Sequence, residues 1–521
     1  MSSIRNVLFI MCDQLRADHL ACYGHPYLAT PNIDRLAQRG VRFDRAFVQS
    51  GVCGPSRMSF YTGRYVSSHG ATWNRVPLAT GELTLGEYLK HAQRRLALVG
   101  KTHVMPDHEG LARLQIDGDS ELGALLREGH FTLVDRYDGH HAEPHGGYAG
   151  YLRERGYQSD DPWTDFVISA QDERGEIVSG WQMRNAHLPA RVREADSETA
   201  YTADQAIRFI EEQRDAPWVL HLSFVKPHWP YMAPAPYHTL YTIDQCLPVQ
   251  RHAAERETQH AVVGAYRQQE ECRNFMRDEV IRKVRPVYQG LIGQLDDHLG
   301  RLWETLEKLG RWQDTLIVFT ADHGDFLGDH WLGEKELFYD TVQRVPYIVY
   351  DPSPEADGSR GTCNSQFVEA IDTVPTMLEG LGLPLAEHRL EGRSLLALTR
   401  DKGSEISWRD AVFSELDYSY REARLLLGRR PDACRAWMVR TAQWKYVHWQ
   451  DDAPQLFDLL NDPEEFFDLG RESAYESVRE QMRMRLFDWF CGLHRRTTVS
   501  NEDVERGTHQ YKNAGVFYGV W

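Results

Sequence analysis

Two short polar strings follow runs of apolar residues, and their residue types suit a metal site. Asp13-Gln14 follows the run 6–12, and Asp322-His323-Gly324-Asp325 follows the run 316–320. Oxygen donors plus one imidazole, delivered by the ends of two strands, suit a divalent cation of intermediate hardness such as Ca²⁺ or Mn²⁺. An Asp at a strand end can also cap the next helix or fix a turn, and either string alone fits that role too. A third string is Cys53-Gly54-Pro55-Ser56-Arg57. Pro55 as the first residue of a helix through 58–62 would put Cys53 at a helix N-terminus, where backbone N–H groups favour an anion. A lone cysteine is more often a buried apolar residue.

The elements that must position these residues read as α/β. Runs 6–12, 96–99, 218–224 and 316–320 have the character of buried strands. Thr30-Pro31 supplies an N-cap and a first-turn proline for a helix ending at Gly40. Ala203, Ala206, Ile207 and Ile210 form one apolar stripe on a helix beginning near Ser197. Leu291, Leu295, Leu299, Leu302 and Leu306 form another, stopped by Gly310. Strands separated by helices imply a large, mostly parallel sheet with helices on both faces, whose chemistry gathers outside the carboxyl ends of the strands. Two inserts, roughly 107–193 and 231–285, lack clean periodicity and read as loops or lids. The expected division is a catalytic α/β domain over 1–400 and a smaller α+β subdomain over 401–494. The latter has strands at 436–441, 445–448 and 456–458 and a helical run at 477–493. A polar arm over 495–521 ends Gly-Val-Phe-Tyr-Gly-Val-Trp.

The chain has 521 residues, 42% hydrophobic and 26% charged, with a formal net charge of −17. That balance disfavours nucleic acid and anionic membranes as partners, because the long-range field repels phosphate. An anionic substrate would need a local cationic pocket. Eight scattered cysteines without a CxxC pair, and no targeting or membrane-length apolar run, point to the cytoplasm. Phe517, Tyr518 and Trp521 on a polar arm suggest a homo-oligomer, dimer or tetramer, with arms crossing between subunits.

The string Cys53-Gly-Pro-Ser-Arg57 resembles the core signature of the type I sulfatases of the alkaline phosphatase superfamily, in which the cysteine is oxidised to formylglycine. Further segments follow in family order. Gly100-Lys-Thr-His103 is similar to the G-K-x-H string, and Lys226-Pro-His-Trp-Pro230 to K-P-H-x-P. Leu332-Gly-Glu-Lys335 with Tyr339-Asp340 and Arg344-Val-Pro346 resembles L-G-x-K…Y-D…R-V-P. Gln455-Leu-Phe-Asp458 with Asn461-Asp-Pro-Glu464 resembles the C-terminal L-Y-D-L…N-D-P-x-E. The resemblance covers nearly the whole chain. Typical sulfatases carry Asp-Asp and Asp-Asn at the two metal strings. Asp13-Gln14 and Asp322-His323 instead look like the phosphonate monoester hydrolase/phosphodiesterase relatives, whereas Lys101 and His103 look like the true sulfatases.

The resemblance implies an alkaline-phosphatase-like fold and hydrolysis of sulfate monoesters, of arylsulfatase type. The alternative is a phosphonate monoester hydrolase/phosphodiesterase using the same centre. It also implies a formylglycine-generating enzyme as a partner and a small anionic ester as substrate. Formylglycine at position 53 would hydrate to a gem-diol. One hydroxyl would attack sulfur or phosphorus, and the other would later expel the anion. Asp13, Gln14, Cys53, Asp322 and His323 would hold one divalent metal ion, Ca²⁺ or alternatively Mn²⁺. Arg57, one helical turn beyond, would orient the diol. Lys101 and His103, at i and i+2 on a strand, would face the substrate together. His228 and Lys335 would complete a cationic ring, neutralising the transferring group or protonating the leaving oxygen.

Overall fold

A computed structural model describes residues 4–90, 92–139, 143–257, 259–400 and 406–519. The large sheet is built from strands β1 (Asn6–Asp13), β2 (Val41–Phe47), β3 (Leu96–Gly100), β4 (Phe131–Arg136), β5 (Val219–Pro227), β6 (Thr315–Ala321), β7 (Tyr347–Tyr350) and β8 (Thr362–Glu369). Their spatial order is β8-β2-β7-β6-β1-β5-β3-β4, and the two-residue strand Arg344–Val345 also pairs with β2. Every neighbouring pair is parallel except those made by β7 and by Arg344–Val345. The central strands β1, β5 and β6 are buried along their whole length, as continuous apolar runs covered on both faces must be.

The covering helices include α1 (Pro31–Arg39), α2 (Cys53–Thr62), α3 (Glu198–Gln213) and the 31-residue α4 (Asp278–Lys308). Ser197 caps α3 through its hydroxyl, which accepts from Ala200 N. All five leucines of the α4 stripe are buried, and Gly310 adopts φ +64° just past its end. Thr30 stands at the N-cap of α1, but its hydroxyl does not cap the helix. Asp296 of α4 does so instead, accepting from Ile33 N (2.7 Å) and Asn32 N (3.1 Å).

A second sheet holds β9 (Ala411–Asp417), β10 (Arg435–Thr441), β11 (Trp444–Trp449) and β12 (Gln455–Asp458), antiparallel in that order, with helix α5 (Glu476–Cys491) nearby in sequence. One apolar cluster joins this sheet to loops of the large domain, since Val52, Trp73 and Phe338 pack with Leu416, Tyr418 and Trp449, and Val412 packs directly on Phe47 and Phe367 of the large sheet. The insert 107–193 is more than a loop. It supplies edge strand β4 and holds an aromatic core, including Tyr137, Tyr148, Tyr157 and Trp163, that packs against Tyr201 of α3. Segment 231–277 forms short helices whose Val262, Tyr266 and Phe275 are buried, and 278–285 is the first part of α4. Both departures have one cause. Elements this short do not span enough turns to reveal a period. Among the described residues no helix is long and apolar enough to cross a membrane.

Candidate active site

Strand register brings the two acidic strings together. Cys12 of β1 pairs with Ala321 of β6, so Asp13 and Asp322 emerge side by side where the ladder ends. On the other flank the register shifts after Cys12 and Asp13 lies opposite Pro227, which brings the 226–230 turn alongside. Helix α2 points its N-terminus at this spot. Cys53 is its first residue, two positions earlier than Pro55 would suggest, and Ser56 Oγ donates to Asp322 O at 2.6 Å.

Asp13 and Asp322 are completely buried, and two cations hold them. Arg57 Nε donates to Asp322 Oδ2 (2.7 Å) and Nη2 to Asp13 Oδ2 (3.3 Å). Its Nη1 donates to Lys101 O and Ser223 Oγ. Lys101 Nζ pairs with Asp13 Oδ2. Burial would raise the Asp13 pKa, as would the neighbouring Cys53. Lys101, His228 and Arg57 prevail and hold it far below the carboxylate range.

The sulfur of Cys53 marks the position that the side-chain oxygens of a formylglycine would take. His323 Nε2 lies 3.1 Å from it, Lys335 Nζ 3.2 Å and Asp13 Oδ1 3.8 Å. His103 and His228 also hydrogen-bond the thiol. Burial pushes the thiol pKa up, but Lys101, Lys335 and His323 outweigh it and leave the group well below its ordinary value. His323 is likewise opposed by burial, yet Asp322 and Cys53 raise it to about 9. Its Nδ1 hydrogen-bonds Gly324 O at 2.9 Å, which orients Nε2 toward the centre. His228 goes the other way, down to about 4, through burial and the Lys335 ammonium 2.9 Å away.

The sequence-derived residues therefore converge, with three differences of detail. Lys101 and His103 lie past the end of β3, so strand alternation does not align them. The turn is made instead by Gly100 at φ +100° and His103 at φ +57°, with Asp138 accepting from Thr102 N and His103 N. Arg57 grips the two carboxylates, and its guanidinium donors go to Asp322, Lys101, Ser223 and Asp13 rather than to residue 53. Gln14, at φ +65°, donates from Nε2 to Asp325 Oδ2 (2.6 Å) and accepts at Oε1 from Lys335 Nζ (3.2 Å). Sequence reasoning missed Asp138, Ser223, Tyr231, whose hydroxyl donates to the same Asp325 Oδ2 (2.5 Å), and Asn74, whose Oδ1 accepts from Gly54 N at 2.7 Å. Nothing in their local strings sets them apart.

The ligand atoms of Asp13, Cys53, Asp322 and His323 all lie within 4.8 Å of one another and are buried. Hard oxygens with one imidazole, and two carboxylates already held in place, fit a divalent cation. The centre opens into a cavity of about 910 Å³, lined among others by Trp73, Arg75, His103, Trp229, Lys335 and Tyr420.

Comparison with known proteins agrees with this geometry. The Sulfatase family model matches residues 5–118 and 122–383, more than half of the chain. The chain belongs to the sulfatase family. A second model, for the C-terminal part of N-sulphoglucosamine sulphohydrolase, matches residues 328–490. Among sulfatase-family relatives, the multifunctional alkaline phosphatase superfamily protein PehA of Trinickia caryophylli is 32% identical, over 96% of this chain and 98% of its own. An arylsulfatase of Clostridium perfringens is 25% identical, over 88% and 91%. The phosphonate monoester hydrolase of Silicibacter pomeroyi superposes with TM-score 0.83 at 28% identity, over 96% of this chain and 98% of that one. The fold is thus the alkaline-phosphatase-like fold of this family.

Proposed function

We propose that this protein is a metal-dependent hydrolase of sulfate monoesters, of arylsulfatase type, that also accepts phosphonate monoesters. One observation carries the reading. The Cys53 sulfur sits where the Lys335 ammonium and the imidazoles of His103, His228 and His323 meet the carboxylates of Asp13 and Asp322. Conversion of Cys53 to formylglycine would supply a gem-diol nucleophile. The residues that would hold the metal are Asp13, Asp322, His323 and residue 53, with Gln14 beside them. When bound, a divalent cation acidifies a nucleophilic hydroxyl and withdraws charge from the ester.

The remaining work falls to the chain itself. Arg57 and Lys101 fix both carboxylates, so little reorganisation is left for the reaction. Lys335 Nζ, in reach of both residue 53 and His228 Nε2, can neutralise the transferring group. His228, with its pKa depressed to about 4, is a neutral imidazole at pH 7 and can take up a proton at Nε2. His103 on the opposite loop faces the same atom of residue 53. The cations Arg57, Lys101 and Lys335 answer a net charge of −17 only locally.

A second reading, a phosphonate monoester hydrolase/phosphodiesterase, is favoured by the Asp13-Gln14 and Asp322-His323 strings and by the likeness to the Silicibacter enzyme. The deciding experiment compares kcat/KM for an aryl sulfate and an aryl phosphonate monoester with the same nitrophenolate leaving group. Preference for sulfate supports the first reading, and preference for phosphonate replaces it with the second. A peptide spanning residue 53 should carry the mass of an aldehyde or its hydrate. Unmodified Cys53 in fully active enzyme would exclude the formylglycine nucleophile.

A further inference from the structure

Lys335 is the cation that reaches the nucleophile from the far side of the site, and the chain carries it on an unusual stretch of backbone. Glu334, Glu336 and Leu337 all have positive φ, at +64°, +77° and +50°. Side chains with a Cβ avoid this region, and it persists only where the surroundings over-determine it. Neutral groups pin part of the stretch. Phe326 N donates to Glu334 O (2.7 Å) and Glu336 N to Gly51 O (3.0 Å). Trp229 Nε1 donates to Glu334 Oε1 (2.7 Å), and Tyr266 OH to Glu336 Oε2 (2.5 Å).

The carboxylates on either side of Lys335 are a problem of charge as well as of shape. Glu334, one residue away, pulls on the ammonium that must face residue 53, and it contributes to raising the Lys335 pKa. A cation from the other sheet answers it. Arg421, just past β9, places Nε 3.0 Å from Glu336 Oε1 and Nη2 3.7 Å from Glu334 Oε2, and it also hydrogen-bonds Glu271. Its own position is fixed on the large domain, because Thr72 Oγ1 donates to Asp417 Oδ2 at 2.8 Å and the Tyr420 ring lies parallel to that of Trp73 (6.1 Å, 9°).

We infer that Arg421 is the positioning residue for Lys335. By occupying Glu334 and Glu336 it leaves the Lys335 ammonium to Gln14, His228 and residue 53, so the second sheet completes the active site. Without it, Lys335 is drawn back to its neighbouring carboxylates. A planar guanidinium can serve several carboxylates at once, whereas an ammonium serves them poorly. The inference rests on the role given to Lys335 above.

The test is a double-mutant cycle of Arg421→Met and Lys335→Met on the full-length, metal-loaded enzyme with nitrophenyl sulfate and nitrophenyl phosphonate. Arg421→Met should lower kcat/KM by roughly 10- to 100-fold, the range typical of residues that orient a catalytic group. The loss should fall on kcat more than on KM. Arg421→Lys should recover part of it. In the Lys335→Met background, Arg421→Met should change the rate by no more than about twofold, because its partner is gone. Full additivity, or no loss in Arg421→Met, overturns the inference. Should Arg421→Met not fold, Arg421→Lys replaces it in the same cycle. Calorimetric binding of inorganic sulfate to the same four proteins reads the cycle without turnover. An inactive wild type would therefore refute the proposed hydrolysis while leaving the Arg421 cycle measurable.

Discussion

At position 53 a thiol, three imidazoles, an ammonium and two carboxylates meet at the floor of the cavity, and the neighbours of the carboxylates and of Lys335 account for their charges. Arg57 balances Asp13 and Asp322 where the metal would add two further positive charges. Arg57→Met should therefore lower the stability of metal-free protein by about 3–5 kcal/mol, the cost of breaking a buried pair. Ca²⁺ or Mn²⁺ should restore more stability to the variant than it adds to the wild type, because the cation takes over the neutralisation. Urea unfolding with and without metal checks this, and equal metal effects would count against a site at these carboxylates. Lys101→Ala and His103→Ala should each lower kcat/KM for an aryl sulfate by about 10²–10⁴, the usual worth of a group that handles charge or protons in the transition state. Unchanged rates would make them bystanders. These residues were readable in the sequence because motif strings name side chains. The hydrogen-bond partners Asp138, Ser223, Asn74 and Arg421 were not, since they are set by which loops the fold brings together.

At the scale of elements, the central strands announced themselves and the edges did not. Strands β1, β5 and β6 are buried throughout and mostly apolar, so the runs of β1 and β6 stand out to within a residue of their ends, while β5 continues three residues beyond its run, through Lys226 and Pro227. Strand β8 is largely exposed over its first five residues and β7 is four residues long, so neither leaves a run long enough to read. The junctions between elements carry the site, and two can be tested. Gly100 ends β3 at φ +100°, and a Cβ there would lie 2.0 Å from Ser223 O. Gly100→Ala should cost roughly 2–4 kcal/mol from strain and overpacking together, and it should displace Lys101. A fall in both unfolding midpoint and kcat/KM is the expected result. Asp329 is the other junction. Burial opposes its ionisation, but Arg285 (2.5 Å) and Arg16 (2.6 Å) bring its pKa down to about 2. Because the folded value lies below the unfolded value of about 3.9, the stabilisation is complete above pH 5 and is lost as pH falls from about 4 toward 2. The difference is worth about 2.5 kcal/mol. Asp329→Asn should be less stable at pH 7 and should lose about 2 kcal/mol less between pH 7 and pH 2. Identical acid profiles would show that the pair is not what links the end of β1 to α4.

Taken as a whole, the molecule buries its chemistry and exposes its tail. The mostly parallel architecture and the smaller C-terminal sheet both followed from the order of apolar runs. The clusters that the second sheet shares with the large domain did not, because each run says that it is buried without saying against what. The arm raises the same question outward. Its root is fixed, with Leu493 buried, Arg64 Nη2 donating to His494 O (2.6 Å) and Arg389 Nη1 to Thr497 O (3.0 Å). Beyond that root every residue from 501 to 519 is exposed, including Phe517 at 65% and Tyr518 at 87%. An aromatic side chain buries about 150–250 Å² when it finds a surface, so leaving these rings in water forgoes several kcal/mol. A surface on a second copy would recover it, and symmetry would double every such contact. The full-length chain should therefore sediment as a dimer or tetramer, and a chain ending at Arg495 should sediment as a monomer. The ion pairs and hydrogen bonds of residues 13, 53, 322 and 335 are made to groups within one chain and far from that root in sequence, so the truncated protein should keep its kcat/KM toward a nitrophenyl ester. A truncated chain that remains oligomeric would show that the arm is not the interface. A truncated monomer with lost activity would show instead that a neighbour's arm reaches the cavity.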